Sequence, residues 1–297
     1  MKIKFKTPAK INLGLHVHGK REDGFHELET IFQMVSLYDD LELELLPSGI
    51  KLECDAPGVP VDETNLVYKA VLLLRKHYQD EGKGVSVRLK KNIPFGAGLG
   101  GGSGNAAGVL MGLNRLWNLN IEREKLAILA AELGSDVPFF LTSPCALGIG
   151  RGEKLEALKT CPKFQVLLVF PGFPIATSWV YRNLKLKLTK RVNNISILRK
   201  NLSLFDITSL GSQLYNDLEP LVIQRFPEVQ LIKNELRSLG ALGVLLSGSG
   251  STVFGVFDDS EKARVACAGL SGAWKRVVVE TIESFTEFFP EEILNYP

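Results

Sequence analysis

The chain has 297 residues, enough for one large domain or for two ordinary domains with buried cores. Its composition, with 45% hydrophobic and 23% charged residues, is that of a folded globular protein and excludes the disordered and fibrous classes. The formal net charge is only +2, so we expect neither a nucleic acid nor an anionic membrane surface as a partner.

The first elements along the chain are predicted to be strands. Apolar and polar residues alternate over residues 11–17, as in a half-buried strand, and Lys10 shares the polar face with Asn12. Asp23-Gly24 marks a turn, and residues 28–37 predict a second strand, so we expect a hairpin. Further short strands are predicted at 41–46 and 85–89, with a helix at 65–78 between them.

Six glycines fall within the nine positions from Gly96 to Gly104. Such a run lets backbone N–H groups converge on an anion, and a following helix adds its unpaired N–H groups and the positive end of its dipole. The Walker class is excluded because no lysine follows before Lys125. The G-x-G-x-x-G match is weak, since residues 90–94 separate it from the strand that a Rossmann loop would follow directly. The loop therefore predicts a phosphate cradle, with a flexible turn that binds nothing as the alternative.

Two helices are predicted after this loop. The first is indicated by apolar residues at helical spacing, namely Ala106, Leu110, Leu113 and Trp117. Ser103 or Asn105 is a suitable N-cap for it. The second is predicted at 122–133, and Gly134 is placed to end it in the left-handed conformation.

The second half of the chain has the order β-α-β-β-α-β, which predicts a ferredoxin-like sandwich. The strands are predicted at 165–170, 244–246, 252–257 and 275–282, and the helices at 213–225, 228–239 and 260–270. We place a domain boundary near residue 160, giving domains at 1–160 and 161–297. The expected fold class is α+β, with a mixed sheet and helices in the first domain.

Several other features of the sequence bear on function. The four cysteines are widely scattered, and His16 and His18 lack a third ligand, so no metal site is predicted. The first six residues alternate like a strand and do not resemble a signal peptide, so a cytoplasmic location is expected. Residues 182–204 contain seven basic residues and no acidic one, which indicates either a solvated excursion or a segment that attracts an anionic substrate.

Three segments together resemble the motifs of the GHMP kinase superfamily. They are Pro8-Ala9-Lys10-Ile11-Asn12-Leu13, the glycine run with Ser103, and Ser247-Gly248-Ser249-Gly250-Ser251. Residues 19–26 and 133–139 further resemble those superfamily members that phosphorylate CDP-methylerythritol, a sugar alcohol carrying a cytidine diphosphate. The resemblance covers nearly the whole chain. It implies the two-domain GHMP kinase fold, ATP-dependent transfer of a phosphoryl group to the 2-hydroxyl of that substrate, and Mg²⁺ accompanying ATP.

The resemblance also implies roles for individual residues. Asp136 corresponds to the catalytic base, and Lys10 to its partner. Taken alone, Asp136 is an equally good cap for the short helix that Pro138 begins, and Lys10 is a typical solvated lysine at a strand end. The ATP-binding positions are Asn65, Leu66, Pro94, Gly96, Gly98, Leu99, Gly100, Gly101, Gly102, Ser103, Gly104 and Asn105. The substrate-binding positions are Asn12, Phe25, His26, Thr177, Tyr181, Gly248, Ser249 and Gly250.

The sequence departs from the family pattern at two places, the second of which motivates a homologue without turnover as an alternative. Phe25 stands where tyrosine is usual, which keeps a stacking face and loses a hydroxyl. Gly104 and Asn105 stand where the family pattern has serine and aspartate, which removes one hydroxyl and one carboxylate. The alternatives are another GHMP kinase, acting on homoserine, mevalonate or a sugar, and a nucleotide-binding homologue without turnover.

Overall fold

Two β-sheets organise the chain, and the computed structural model describes residues 1–78, 83–159, 161–185 and 194–294. The strands are β1 (Lys2–Lys20), β2 (His26–Leu46), β3 (Ile50–Cys54), β4 (Gly84–Lys90), β5 (Cys145–Gly150), β6 (Lys154–Ala157), β7 (Gln165–Phe170), β8 (Tyr215–Asn216), β9 (Gly243–Leu246), β10 (Val253–Phe257) and β11 (Lys275–Glu280). The helices are α1 (Leu66–Tyr78), α2 (Gly101–Leu116), α3 (Arg123–Ala130), α4 (Phe139–Thr142), α5 (Thr177–Asn183), α6 (Asn194–Ser203), α7 (Ile207–Ser212), α8 (Glu219–Arg225), α9 (Glu228–Ser238), α10 (Ser260–Gly269) and α11 (Glu291–Leu294).

The predicted N-terminal hairpin is confirmed, and it is longer than expected. β1 and β2 pair antiparallel almost throughout, with irregularities at Pro8/Ala9 and between Asn12 and Gly14. The stretch predicted as a separate strand at 41–46 is the continuation of β2, because its residues pair with β1 on one side and β4 on the other. Together with β3, β5, β6 and β8 these strands form one mixed sheet.

Helix α2 packs on this sheet, and its start differs from the prediction. Ser103 and Asn105 lie inside the helix, which begins at Gly101, and the N-cap is Gly100 in a left-handed conformation with no side-chain cap. The prediction was wrong because glycine at this point lets the backbone turn directly into the helix. The predicted left-handed Gly134 is also wrong. α3 ends at Ala130, and its last carbonyls accept tightened bonds from Ala131, Glu132 and Leu133.

The second sheet has the strand order β11-β7-β10-β9, all antiparallel, which confirms the predicted β-α-β-β-α-β arrangement. The helix predicted at 213–225 is wrong in its first half. Residues 215 and 216 form β8, which pairs with Gly14 and Leu15 of β1, and helix α8 begins only at Glu219. A two-residue strand that pairs far along the chain leaves no local pattern to detect.

A cluster of apolar side chains joins the two sheets, with members on β1, β7 and β10 such as Ile11, Leu168 and Phe254. This packing holds β1, which carries Lys10, against the second half of the chain. Strands up to Ala157 lie in the first sheet and β7 begins the second, but β8 returns to the first. The boundary near residue 160 therefore stays a prediction. Within the described residues, no helix has the length and apolar character that crossing a bilayer requires.

Candidate active site

The glycine loop, the second half of β1 and the 248–249 turn border a cleft with a volume of about 990 Å³. Among the described residues that line it, five carry positive charge and one is a carboxylate, Asp136. The cationic side chains are Lys10, Lys20, Lys91, Arg151 and Arg182. This imbalance favours an anionic ligand. Three other members of the basic segment, Lys187, Lys190 and Arg191, lie outside the described residues.

The glycine loop approaches the rest of the cleft so closely that side chains are excluded from it. A β-carbon at Gly98 would collide with the carbonyl oxygen of Ser247, and one at Gly100 would lie 2.9 Å from Cγ of Lys10. The first intrahelical bond of α2 is donated by Gly104 to Gly100 at 2.8 Å, so the preceding amides at 101–103 are left for a ligand. A backbone arranged in this way can cradle a phosphate.

Lys10 and Asp136 meet at one wall of this cleft. Nζ of Lys10 lies 3.3 Å from Oδ2 of Asp136 and donates to Oδ1 of Asn12 at 2.7 Å. Asn12 in turn donates to Oγ1 of Thr30 at 2.8 Å, which fixes its orientation. The Lys10 side chain is 5% exposed and that of Asp136 is 35% exposed, so the cation is held firmly while the carboxylate faces the cleft.

The structure removes the alternative roles for these two residues. The short helix α4 begins at Phe139 with Pro138 as its N-cap and no side-chain cap, so Asp136 is not its capping residue. Lys10 is buried against the Phe32 ring, 5.4 Å from its centre, and is not a solvated lysine at a strand end. Both side chains therefore line the cleft, where they contact each other.

The 247–251 loop borders the cleft next to the glycine loop. Oγ of Ser247 donates to the Gly98 carbonyl at 3.0 Å, which ties this loop to the glycine loop. The hydroxyls of Thr177 and Ser249 share a hydrogen bond of 2.8 Å. Gly248 and Ser249 line the cleft, whereas Gly250 packs behind it, where a β-carbon would lie 3.0 Å from a methyl of Leu246.

One end of the cleft is aromatic, and residues 25, 26 and 181 lie there together. The rings of His26 and Tyr181 lie 5.2 Å apart, and Phe25 is 51% exposed with the Arg151 guanidinium 4.9 Å from its ring centre. Burial, with a smaller effect of Lys20, lowers the pKa of His26, so its ring is neutral near pH 7. Burial, with Asp136 nearby, raises the pKa of Tyr181, so its hydroxyl stays protonated. These groups can stack on a flat ring and hydrogen-bond its edge.

The predicted nucleotide side of the cleft contains Asn65, Leu66 and Pro94. Asn65 uses its side chain locally, accepting from the Val67 amide at 2.9 Å and donating to the Pro60 carbonyl at 2.6 Å. Leu99, Gly101, Gly102 and Ser103 also line the cleft. Gly104 does not line it. Asn105 does, and it is buried with its Oδ1 accepting from Thr7 Oγ1 at 2.7 Å.

Sequence reasoning missed several cleft residues. Lys91 forms a buried ion pair with Asp39, and its Nζ lies 3.1 Å from where a β-carbon of Gly101 would be. Its position just before the glycine loop could have indicated that Lys91 lies in the cleft. Arg151 gave no signal, because its contact with Phe25 joins the turn before β2 to the turn after β5 only in the folded chain.

Comparisons with known proteins agree with this geometry. Residues 65–143 match the model described as the GHMP kinases N terminal domain, and residues 198–276 match the GHMP kinases C terminal model. The fold and the site thus define a GHMP kinase, which confirms the predicted fold class.

Full-length relatives narrow the family. The 4-diphosphocytidyl-2-C-methyl-D-erythritol kinase of Acetivibrio thermocellus is 41% identical over 94% of this chain and 99% of its own length. The enzyme of the same name from Syntrophus aciditrophicus is 42% identical over 95% of this chain and 100% of its length. A crystal structure of 4-(cytidine 5'-diphospho)-2C-methyl-D-erythritol kinase aligns with a TM-score of 0.81 and 36% identity, covering 95% of this chain and 100% of the other. The chain belongs to the family of 4-diphosphocytidyl-2-C-methyl-D-erythritol kinases and is an ATP-dependent small-molecule kinase.

Proposed function

We propose that this kinase transfers the γ-phosphoryl group of ATP to the 2-hydroxyl of 4-diphosphocytidyl-2-C-methyl-D-erythritol, a step in the non-mevalonate route to isoprenoid precursors. The observation that carries the proposal is the Lys10–Asp136 pair, 3.3 Å apart, in a cleft that has the glycine loop on one side and the aromatic end on the other. Such a cleft can hold a triphosphate and a nucleobase-linked alcohol together.

In the proposed reaction, Asp136 accepts the proton of the 2-hydroxyl as that oxygen forms its bond to the γ-phosphorus. The bond from the γ-phosphorus to the bridging oxygen breaks, and ADP leaves with the electron pair. Lys10, fixed by Asn12, stabilises the negative charge that develops on the transferring group and orients the carboxylate. Because Lys10 is buried and held from two sides, it reaches this arrangement without reorganisation.

The amides of residues 101–103 and the N-terminus of α2 are proposed to hold the ATP phosphates, with Asn65, Leu66 and Pro94 at the nucleoside. Mg²⁺ is proposed to accompany ATP, where it neutralises phosphate charge. Mg²⁺ commonly binds through substrate phosphates, waters and one or two protein oxygens. The Ser103 hydroxyl, next to the proposed phosphate-binding amides, is an oxygen in the described part of the cleft that would suit it. Asn105 is a poor candidate, since its Oδ1 already accepts from Thr7.

The aromatic end is proposed to bind the cytosine, with Phe25 and Tyr181 supplying flat faces and neutral His26 a hydrogen bond to the edge of the base. Homoserine, mevalonate and simple sugars have no aromatic ring to place there. The departures at Gly104 and Asn105 give little support to a homologue without turnover, because Gly104 does not line the cleft and the Asn105 side chain is bonded to Thr7, while the Lys10–Asp136 pair is intact. The four cysteines are free, which fits the proposed reducing cytoplasm.

The test is to incubate the protein with Mg-ATP and each of four alcohols: CDP-methylerythritol, homoserine, mevalonate and galactose. ADP release should appear with the cytidine substrate alone, and the product should carry a phosphate on its 2-oxygen. Turnover with another alcohol instead would identify a different GHMP kinase. Tight ATP binding with no ADP release for any of them would support the homologue without turnover.

A further inference from the structure

The 247–251 loop depends on a residue that lies outside it. Asn216 is 3% exposed, and both hydrogens of its side-chain amide are used on this loop. Nδ2 donates to the Leu246 carbonyl at 2.9 Å and to the Gly248 carbonyl at 2.8 Å. Its Oδ1 accepts from the Leu218 amide at 2.9 Å, which fixes the amide plane. Every strong hydrogen-bonding position of this side chain except one lone pair is thus occupied.

Asn216 also belongs to the strand system that carries the reacting groups. It lies on β8, where it pairs with Leu15 of β1, the strand that bears Lys10 and Asn12. Asp217 strengthens the joint, since its Oδ2 accepts from the Val17 amide at 2.8 Å and its own amide donates to the Leu15 carbonyl at 3.0 Å. Asn216 therefore links the position of the loop to the position of β1.

The bond to Gly248 determines where the next amide points. A trans peptide is planar, so its N–H is directed opposite to its C=O. Since the Gly248 carbonyl is turned to Asn216, the Ser249 N–H is turned away from Asn216. Gly248 is left-handed, with φ of 54°, and a β-carbon on it would lie 3.4 Å from Nζ of Lys10. Within the described residues the Gly248 and Ser249 amides have no acceptor, although both residues line the cleft.

We propose that Asn216 is a positioning residue for the kinase reaction: by fixing the Gly248–Ser249 peptide, it holds the Ser249 amide as a donor to the anionic diphosphate of the cytidine substrate. The inference rests on the proposed function. Asn216 itself touches no substrate. It acts through the loop, and through β8 it sets the distance between that donor and Lys10.

Two variants test the role. Asn216→Leu removes both donors at similar size, and Asn216→Asp replaces them with a carboxylate that repels the two carbonyls. Each should lower kcat/KM for the cytidine substrate by about 10²-fold, the scale expected when a substrate-positioning contact is misplaced. The KM for the cytidine substrate should rise, while the affinity for ATP should stay within about threefold, because the nucleotide is held by the other loop.

The pH dependence of the activity distinguishes a positioning role of Asn216 from a merely structural one. A protonated carboxyl regains one donor, so the activity of N216D relative to the wild type should increase as the pH falls toward the carboxyl pKa. N216L should show no such recovery. The matched control is Asn114→Asp. Asn114 is also buried and bonds the backbone on both sides of its amide, at Ile121, but it does not line the cleft. N114D should lose stability and keep its KM values.

The wild-type protein provides a measurement that needs no variant. Hydrogen exchange at the Ser249 amide should slow when CDP-methylerythritol is added without ATP. Unchanged hydrogen exchange at the Ser249 amide, or unchanged kinetics in folded N216L and N216D, would overturn the inference. The proposed function would still stand if the wild-type protein turns over the cytidine substrate. Equal losses of ATP and cytidine-substrate binding would also overturn it. Absence of wild-type turnover overturns the proposed function and this inference with it.

Discussion

Replacement of Asp136 by asparagine isolates the proposed base from its surroundings. The two side chains have the same shape, and an amide oxygen can take the place of the carboxylate oxygen that lies 3.3 Å from Lys10 Nζ. Lys10 keeps its bond of 2.7 Å to Asn12. Because the Asp136 side chain is 35% exposed, loss of the ion pair should cost about 1 kcal/mol of stability or less. The site should therefore remain assembled.

The effect on catalysis should be far larger than the effect on stability. A positioned general base contributes about 10²–10⁴-fold to a rate, which corresponds to about 3–5.5 kcal/mol of activation free energy. We expect kcat of D136N to fall by about 10³-fold while the Kd for ATP changes by less than about threefold. ADP release measures the first quantity, and titration calorimetry with ATP measures the second.

The control for this variant is Asp258→Asn. Asp258 also pairs with a lysine, Lys262, at 2.9 Å, but at the exposed start of α10 and outside the cleft. Its kinetic constants should match the wild type. A D136N protein that folds and retains kcat within about tenfold of the wild type would remove Asp136 from the base role. Loss of ATP binding in D136N would instead assign the carboxylate to the nucleotide.

Three further predictions concern binding, stability and pH. Phe25→Ala should raise the KM for the cytidine substrate by about tenfold and leave that for ATP unchanged, because stacking on a base is worth about 1–3 kcal/mol; equal rises in both would argue against stacking. Lys233→Met leaves the carboxylate of Glu219, 13% exposed and bonded to the Leu246 amide, without its cation, so urea unfolding should show a loss of about 3–5 kcal/mol, and a loss below about 1 kcal/mol would contradict the importance of this pair. Hydrogen bonds from Lys2 and other neighbouring cations lower the pKa of Glu42 to about 2 from an ordinary 4.5. Its contribution to stability is therefore complete above pH 4.5 and lost as the pH falls toward 2, so Glu42→Gln should flatten the pH dependence of stability in that window, and an unchanged slope would count against the assignment.

Local patterns in the sequence were sufficient for much of the fold. Alternation over residues 11–17 placed Lys10 and Asn12 on one face, and the structure shows them bonded. The glycine run predicted a phosphate cradle because only a bare backbone permits the approach of Ser247 to Gly98. In the first case the relevant residues are close in sequence, and in the second the chemistry is specific to one residue type.

Contacts between distant segments could not be predicted in the same way. Nothing local indicates that Asp136 reaches Lys10, and only the family resemblance joined them. The β8 strand is two residues long and pairs with β1, so Asn216 gave no periodic signal. Lys91 and Asp39 look like solvated charges in the sequence, yet they are 7% and 0% exposed as a pair, because burial of opposite charges is decided by tertiary packing.

Gly104 shows how the unusual part of the glycine motif is matched to its surroundings. A β-carbon there would lie 3.0 Å from the Pro8 carbonyl oxygen and 3.3 Å from Cε1 of Phe140. Gly104→Ser restores the family residue and gains up to about 0.5 kcal/mol of helix propensity. Overpacking at such a site costs about 1–3 kcal/mol, so urea unfolding should show a net loss of stability. Gly102→Ser is the stability control, because a β-carbon there meets only a Leu66 methyl at 3.9 Å.

The same substitution should also affect the reaction. Pro8 lies on β1 just before Lys10, so a shift of Pro8 to relieve the contact is passed along the strand to the Lys10 ammonium. We expect kcat of G104S to fall along with its stability. A gain in stability, with kcat unchanged, would show that this chain has room for the serine and that the glycine is not required by the packing of α2 on β1. The close contact with Pro8 would then not explain why this chain has glycine at position 104 where the family pattern has serine.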